Sequence, residues 1–548
     1  MKKIFLLCLI VFAFYSSHAQ ALLKKSDQIK PKPKLVIGIV VDQMRYDYIY
    51  KFWNQFGDGG FRRLVNEGFS CKNTNYNYVP TYTGPGHASI YTGTTPSVHG
   101  IIANNWYDRK AKQSIYCSFD VNEVTLGSLT NAGRMSPRNM LTTSVGDELR
   151  LSNNKKSKVI GIALKDRGAI LPAGHAANAA YWYDGSNGAW ISSTYYMKEL
   201  PQWVIEFNKK ELAKKYLSQS WTTLLPIEQY VESTDDDKLY EQSMAEGAKP
   251  VFPYNIPELT KKEGLNLIRN TPFGNSFTKD FALETIKQEN LGKGSYTDFL
   301  AISFSSTDYI GHQFGPHSVE VEDCYLRLDR DIEEMLNFLD TWIGKNNALV
   351  FLTADHGAVD APGYLAENRV PSGVLEEKAI IDSVRKFISK KFVDTSLFMG
   401  FSNLQVFLNR HLMIEKKMNP VEIENTIAEY LLTIKGVGDV LTESLLNHCS
   451  FNDVPRKNIQ NGYHRQRSGD VMMVTLPGWV EDYQKGTTHG SPYTYDSHVP
   501  LIFYGCNINP GSSTEYVEIT DIAPTISMML NIQYPNGCTG KPIQSVLK

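Results

Sequence analysis

Ala348-Leu349-Val350-Phe351-Leu352-Thr353-Ala354-Asp355-His356-Gly357 joins an uninterrupted apolar run to a carboxylate, an imidazole and a glycine. A run of that kind, without polar alternation, reads as a strand buried on both faces, as in a parallel sheet covered by helices. The glycine lets the backbone turn sharply and present both polar side chains. Three other stretches repeat the pattern: residues 34–41 end at Asp42, residues 159–164 at Lys165-Asp166-Arg167, and residues 299–304 lead into Asp308. Helical periodicity over 144–151 and 319–339 supplies the intervening elements. The alternation predicts a layered α/β/α fold with a central, largely parallel sheet. In such sheets ligands bind beyond the carboxyl ends of the strands, which is where the four polar clusters fall.

Two long stretches interrupt the alternation, at about 185–292 and about 358–478, the second with a helix-like segment over 421–433. Both read as insertions capping a single catalytic domain that spans 20–548. No internal repeat or low-complexity tract is evident.

The polar clusters have a composition that suits metal ions. Asp308 and His312 are four apart, a spacing that sets a carboxylate and an imidazole on one side of a helical turn. Asp355 and His356 are adjacent, and His489 stands between glycines in Gly486-Thr487-Thr488-His489-Gly490. Mixed imidazole and carboxylate donors suit zinc, whereas magnesium or calcium would take oxygen alone. Taken singly, an Asp after a strand is a turn or helix cap, and a histidine between glycines is a loop residue. Their joint occurrence at strand ends is what favours a site. The remaining histidines lack that setting: His87, His99, His175, His317 and His498 are expected to be structural, and His411, His448 and His464 exposed.

Pro80-Thr81-Tyr82-Thr83-Gly84-Pro85-Gly86-His87 passes from an extended segment into a helix, with Thr83 just before the turn. A helix N-terminus favours an anion, and a hydroxyl beside a bound cation becomes a nucleophile without a neighbouring base. The alternative is a helix cap with no chemistry.

Lys2 and Lys3, an apolar run over 4–15, and Ser16-Ser17-His18-Ala19 form a signal peptide over residues 1–19, so the protein is expected to be periplasmic or secreted. The run is shorter than the roughly 20 residues of a membrane span, and no later segment replaces it. The chain carries a formal charge of −2, and removing residues 1–19 with their two lysines leaves −4, which is no footprint for nucleic acid. Six of the seven cysteines survive cleavage, none in a CxxC pair. They permit disulfides in an exported protein but argue against a thiolate metal site.

Asp42, Thr83, Asp308 with His312, Asp355-His356 and His489 occur in the order used by the alkaline phosphatase superfamily. With Ile101-Ile102-Ala103-Asn104-Asn105 and Lys165-Asp166-Arg167-Gly168, the chain resembles the periplasmic zinc alkaline phosphatases of the PafA type from Asp42 to Thr520-Asp521. The resemblance implies an alkaline-phosphatase-like fold and two Zn ions. One would be held by Asp308, His312 and His489, the other by Asp42, Asp355, His356 and the oxygen of Thr83. It also implies hydrolysis of small-molecule phosphate monoesters by double displacement through phosphothreonine on Thr83, with Asn104 donating to a phosphoryl oxygen, and a monomer. Threonine in place of serine is shared with nucleotide pyrophosphatase/phosphodiesterases, which keeps diester hydrolysis as the second reading. Lys165 and Arg167 discriminate: as strand residues at i and i+2 they would face one way and address a dianionic phosphoryl group together. A sulfatase would need a modifiable residue in another setting, and Cys71 is followed by Lys72-Asn73-Thr74. A non-catalytic extracellular binding protein with a structural metal would need neither nucleophile nor cationic pair.

Overall fold

The computed structural model describes residues 31–547; the signal peptide expected over 1–19 lies outside them. The centre is an 11-stranded sheet. Its middle is parallel: β1 (Leu35–Val41) lies between β8 (Asp298–Phe304) and β9 (Ala348–Thr353), and β5 (Val159–Ala163) continues from β8 to β6 (Ala179–Asp184). Antiparallel strands flank it, β10 (Leu501–Gly505) against β9 and then β2 (Phe69–Asn75) on one side, and β7 (Ala189–Ser193) against β6 on the other. All residues of β1, β5, β8 and β9 are buried, as their apolar runs predict.

The four strands that end in polar clusters are consecutive neighbours, in the order β9, β1, β8, β5. Val40 pairs with both Thr353 and Ser303, and Ala163 with Ser303, so the ends stop at one level. Because the strands run parallel, Asp42, Lys165, Asp308 and Asp355-His356 are delivered to the same edge. The helices follow the sequence closely. Residues 145–151 form a helix capped by Ser144 and Asp147, which satisfy each other's backbone amides. Val319–Ile343 forms a 25-residue helix capped by Ser318.

The two long stretches behave differently. Residues 185–292 supply β7 and pack Trp190, Phe207, Trp221, Phe277 and Phe281 into the same core as the main sheet. Within 358–478 a four-stranded antiparallel sheet, in the order 398–402, 405–408, 471–475, 437–442, closes a core of its own around Val384, Ile388, Ile427 and Leu431. The six cysteines among the described residues are all free. The even count therefore does not translate into disulfides here, and four of the six are buried as small apolar side chains. Among the described residues no helix is long and apolar enough to cross a membrane.

Candidate metal and phosphoryl site

Thr83 is the first residue of α1 (Thr83–Thr92), preceded by Tyr82 in extended conformation. It sits inside the first turn rather than before it, as the sequence suggested, and its side chain caps no amide. Thr83 is 1% exposed, and its Oγ1 lies 3.4 Å from His356 Nε2. Every residue of α1 is buried, which the glycines permit: a Cβ on Gly86 would come within 2.4 Å of the Asp355 carbonyl oxygen. Helix α1 therefore lies directly on the strand end that carries Asp355 and His356.

Two acid/histidine clusters form around Thr83. Asp308, His312 and His489 bring ligand atoms within 4.8 Å of one another, and Asp42, Asp355 and His356 do the same. In the first, Asp308 and His312 lie one turn apart on α3 (Ser306–Phe314), with His312 Nε2 3.2 Å and His489 Nε2 3.7 Å from Asp308 Oδ1. In the second, His356 Nε2 is 3.4 Å from Asp355 Oδ2 and 3.6 Å from Asp42 Oδ1. The His356 and His489 rings stack with centroids 3.4 Å apart, so the clusters are contiguous. In each of the three histidines Nδ1 lies against a carbonyl: His312 on Thr487, His356 on Gly357 and His489 on Thr81. That fixes the tautomer and leaves every Nε2 as the free donor atom.

The electrostatics fit cations at these positions. Asp42, Asp308 and Asp355 are all at most 3% exposed. Burial pushes Asp42 up to about 6, with Asp308 raising it further and Lys165 opposing, and pushes Asp355 well above the carboxylate range, with Asp42 and Asp308 raising it further. Burial would raise Asp308 too, but Lys165 and His312 hold it well below its ordinary value. Asp42 Oδ1 and Asp355 Oδ2 accept no hydrogen bond. Buried carboxylate oxygens without donors are costly unless a positive charge reaches them, and a mixed Asp/His set is the ligand chemistry of a divalent transition metal.

Lys165 and Arg167 are arranged differently from the sequence expectation. Strand β5 stops at Ala163, Lys165 is the extended residue before α2 (Asp166–Ala173), and Arg167 lies in that helix's first turn. The alternation of a strand therefore does not govern them. Lys165 Nζ is 2.7 Å from Asp42 Oδ2 and 2.5 Å from Asp308 Oδ2, touching one carboxylate of each cluster. Arg167 turns to Tyr116, donating from Nη1 to the phenol oxygen at 3.1 Å, while its Nε is buried without a partner. Asn104 is oriented by the Gly84 amide, which donates to Oδ1 at 2.8 Å. Its Nδ2 is thereby left as a donor beside Thr83.

Several positioning residues carry no sequence signal. Gln43, with φ 60, donates from its amide to Asp355 Oδ1 and from Nε2 to Asp308 Oδ1, both at 3.1 Å, and so spans the two clusters. Asp496, 1% exposed, accepts the amides of Gly490 and Ser491 at 3.0 and 2.8 Å, holding the turn after His489. Its own carbonyl accepts from Gly357 at 2.7 Å, so one short segment braces both ligand loops. The bonds from Gln43 to Asp355 and Asp308 cross 312 and 265 positions and leave no local pattern.

Of the other histidines, His87 is fully buried, with Nδ1 on the Thr83 carbonyl and Nε2 on Ser303 Oγ, both at 2.9 Å, and so supports α1. His99 is buried against Ser89. His175, His317 and His498 are half-buried on Thr142, Asp360 and Lys72. His411 and His448 are exposed. His464 is half-buried, against expectation, because it closes a turn in which Gln466 and Ser468 bond back to it.

The family model described as type I phosphodiesterase / nucleotide pyrophosphatase matches residues 36–498. The alkaline phosphatase PhoV of Synechococcus elongatus is 45% identical over the full length of both chains. The alkaline phosphatase PafA of Elizabethkingia meningoseptica is 42% identical over 94% of this chain and 95% of its own. The crystal structure of PafA superposes with a TM-score of 0.91, covering 94% of this chain and 99% of that one. A Myroides odoratus protein named calcium-transporting ATPase is 46% identical over 94% and 95% of the two chains.

Proposed function

Given that the chain belongs to the type I phosphodiesterase / nucleotide pyrophosphatase family and is an alkaline phosphatase, a hydrolase of phosphate monoesters, we propose that Thr83 is its covalent nucleophile and that Asn104, Lys165 and Arg167 bind the transferred phosphoryl group. The observation that carries this reading is the Thr83 hydroxyl, buried at a helix N-terminus, 3.4 Å from His356 Nε2 and beside two acid/histidine clusters that share Lys165. Asp308, His312 and His489 would hold one zinc ion, and Asp42, Asp355 and His356 with the Thr83 oxygen a second. Two divalent ions there would supply Lewis-acid stabilisation of the entering and leaving oxygens.

The chain's own groups then divide the work. Thr83 Oγ1 attacks phosphorus in line, forming a phosphothreonine as the bond to the leaving alcohol breaks, and water hydrolyses that ester in a second in-line step. The N-terminus of α1 favours the anionic oxygen. Asn104 Nδ2, freed by the Gly84 bond to Oδ1, donates to a non-bridging oxygen. Lys165 lies within reach of any group that bridges the clusters, and the unpartnered Nε of Arg167 offers a further donor. We further read residues 1–19 as an export signal, which puts the enzyme in the periplasm or outside the cell.

Monoester preference follows from charge. A monoester dianion presents a charged non-bridging oxygen where a diester carries a substituent, so cations aimed at that oxygen act selectively. Removing one preorganised donor commonly costs about 10²- to 10³-fold in rate. Lys165→Ala and Arg167→Ala should each lower monoester kcat/KM on the order of a hundredfold, with a much smaller loss on the methyl diester bearing the same leaving group. Equal losses on the two substrates would remove the pair from phosphoryl recognition.

A further inference from the structure

Resting on the proposed role of Arg167, we infer that Tyr116 is a positioning residue: its phenol oxygen sets the Arg167 guanidinium toward the phosphoryl group and ties it to Asn104. Tyr116 ends the hairpin strand β4 (Gln113–Tyr116), which pairs antiparallel with β3 (Asn105–Asp108). Its hydroxyl accepts from Arg167 Nη1 at 3.1 Å and donates to Asp166 Oδ1, and the same carboxylate oxygen accepts the Arg167 backbone amide at 2.5 Å.

The chain of bonds has one possible direction. A guanidinium only donates, an ionised carboxylate only accepts, and a phenol does one of each. Asp166 therefore accepts the phenol's hydrogen bond, which turns the phenol lone pair toward Arg167. An arginine side chain has many rotamers, and fixing one before substrate arrives removes that ordering cost from the binding step. One Nη is held, while Nε stays buried without a protein partner.

The hairpin also carries the second donor. Asn105 pairs with Tyr116 across the ladder, and the amide of Cys117 donates to the Asn104 carbonyl at 2.9 Å. Asn139 Nδ2 bonds the Cys117 carbonyl at 3.1 Å and fastens the hairpin end. Asn104 immediately precedes β3 and Tyr116 ends β4, so the two sit together at one end of the hairpin, and among the described residues the Arg167 side chain is hydrogen-bonded to that hairpin only through the phenol.

Tyr116→Phe keeps the ring and removes the hydroxyl. Misplacing a positioned group costs up to about a hundredfold, so kcat/KM for an aryl monoester should fall on the order of tenfold, with little change for the matching methyl diester. Asp166→Asn, which leaves the phenol in place but weakens its acceptor, should shift selectivity the same way. In an Arg167→Ala background Tyr116→Phe should cost nothing further, because the two residues act as one unit. Should Tyr116→Phe depress both substrates equally, or keep its full effect without Arg167, the hydroxyl merely supports the hairpin and the inference falls. If Arg167→Ala itself fails to separate monoester from diester, the arginine's proposed role falls and takes this inference with it. If Arg167→Ala separates them and Tyr116→Phe does not, the inference alone is wrong.

Discussion

Thr83→Ala is expected to lose nearly all phosphatase activity, by a factor of up to about 10⁶, the size of loss that deletion of a covalent nucleophile can cause in an otherwise intact site. The hydroxyl has no structural duty that would confuse the result. It caps no helix amide, and the extended residue before it, not its side chain, starts α1. Removing it should therefore leave the fold intact, which a melting curve checks. Thr83→Ser should keep a substantial part of the activity, since the attacking oxygen remains, and the loss of the methyl opens only a small gap in a buried position. The stereochemistry gives an independent reading. Two successive in-line displacements invert phosphorus twice, so a chiral phosphate monoester should transfer its group with net retention. Inversion, or an alanine variant that remains fast, would mean direct attack by water and would take Thr83 out of the reaction.

Exhaustive chelation should abolish activity altogether, with two ions per chain found before treatment and none after, and zinc should restore turnover better than magnesium. The argument rests on charge. Asp42, Asp308 and Asp355 are buried together, and among the described residues Lys165 is the one ammonium in contact with them, so more negative charge converges than protein groups neutralise. Ions that bind the folded chain stabilise it by mass action, so the melting temperature should fall on chelation and recover with the metal. This second readout does not pass through catalysis. Full activity in a preparation shown by elemental analysis to be metal-free would end the metal reading, while one ion per chain would remove one of the two clusters from it.

Local signals made much of the site legible. The strands anticipated over 34–41, 159–164, 299–304 and 348–352 appear within a residue or two of those limits, because an apolar run long enough to be buried on both faces has few other places to go. Asp308 and His312 share a cluster because a spacing of four puts them on one face of α3. The alternation of a strand does not extend past the end of β5. Lys165 and Arg167 were expected to alternate as in a strand, yet a helix starts at Asp166, so one cation reaches back to the clusters and the other turns to the hairpin. The even cysteine count permits cross-links without requiring them, and the fold makes none among the described residues, whose thiols are free.

By itself, the sequence determined the layered α/β class, the identity of the strand-end acids and imidazoles, and the candidate nucleophile, all of which depend on residue type and spacing within a few positions. Tertiary structure alone decided that the four strand ends are neighbours at one level, that Lys165 touches both clusters, and that Gln43, Tyr116 and Asp496 hold the groups around them. The bond from Gln43 to Asp355 crosses 312 positions of the chain. The reason is physical: a hydrogen bond or ion pair is fixed by distances of about 3 Å and by direction, and such distances between residues remote in sequence exist only after the sheet has brought the strand ends to a common edge.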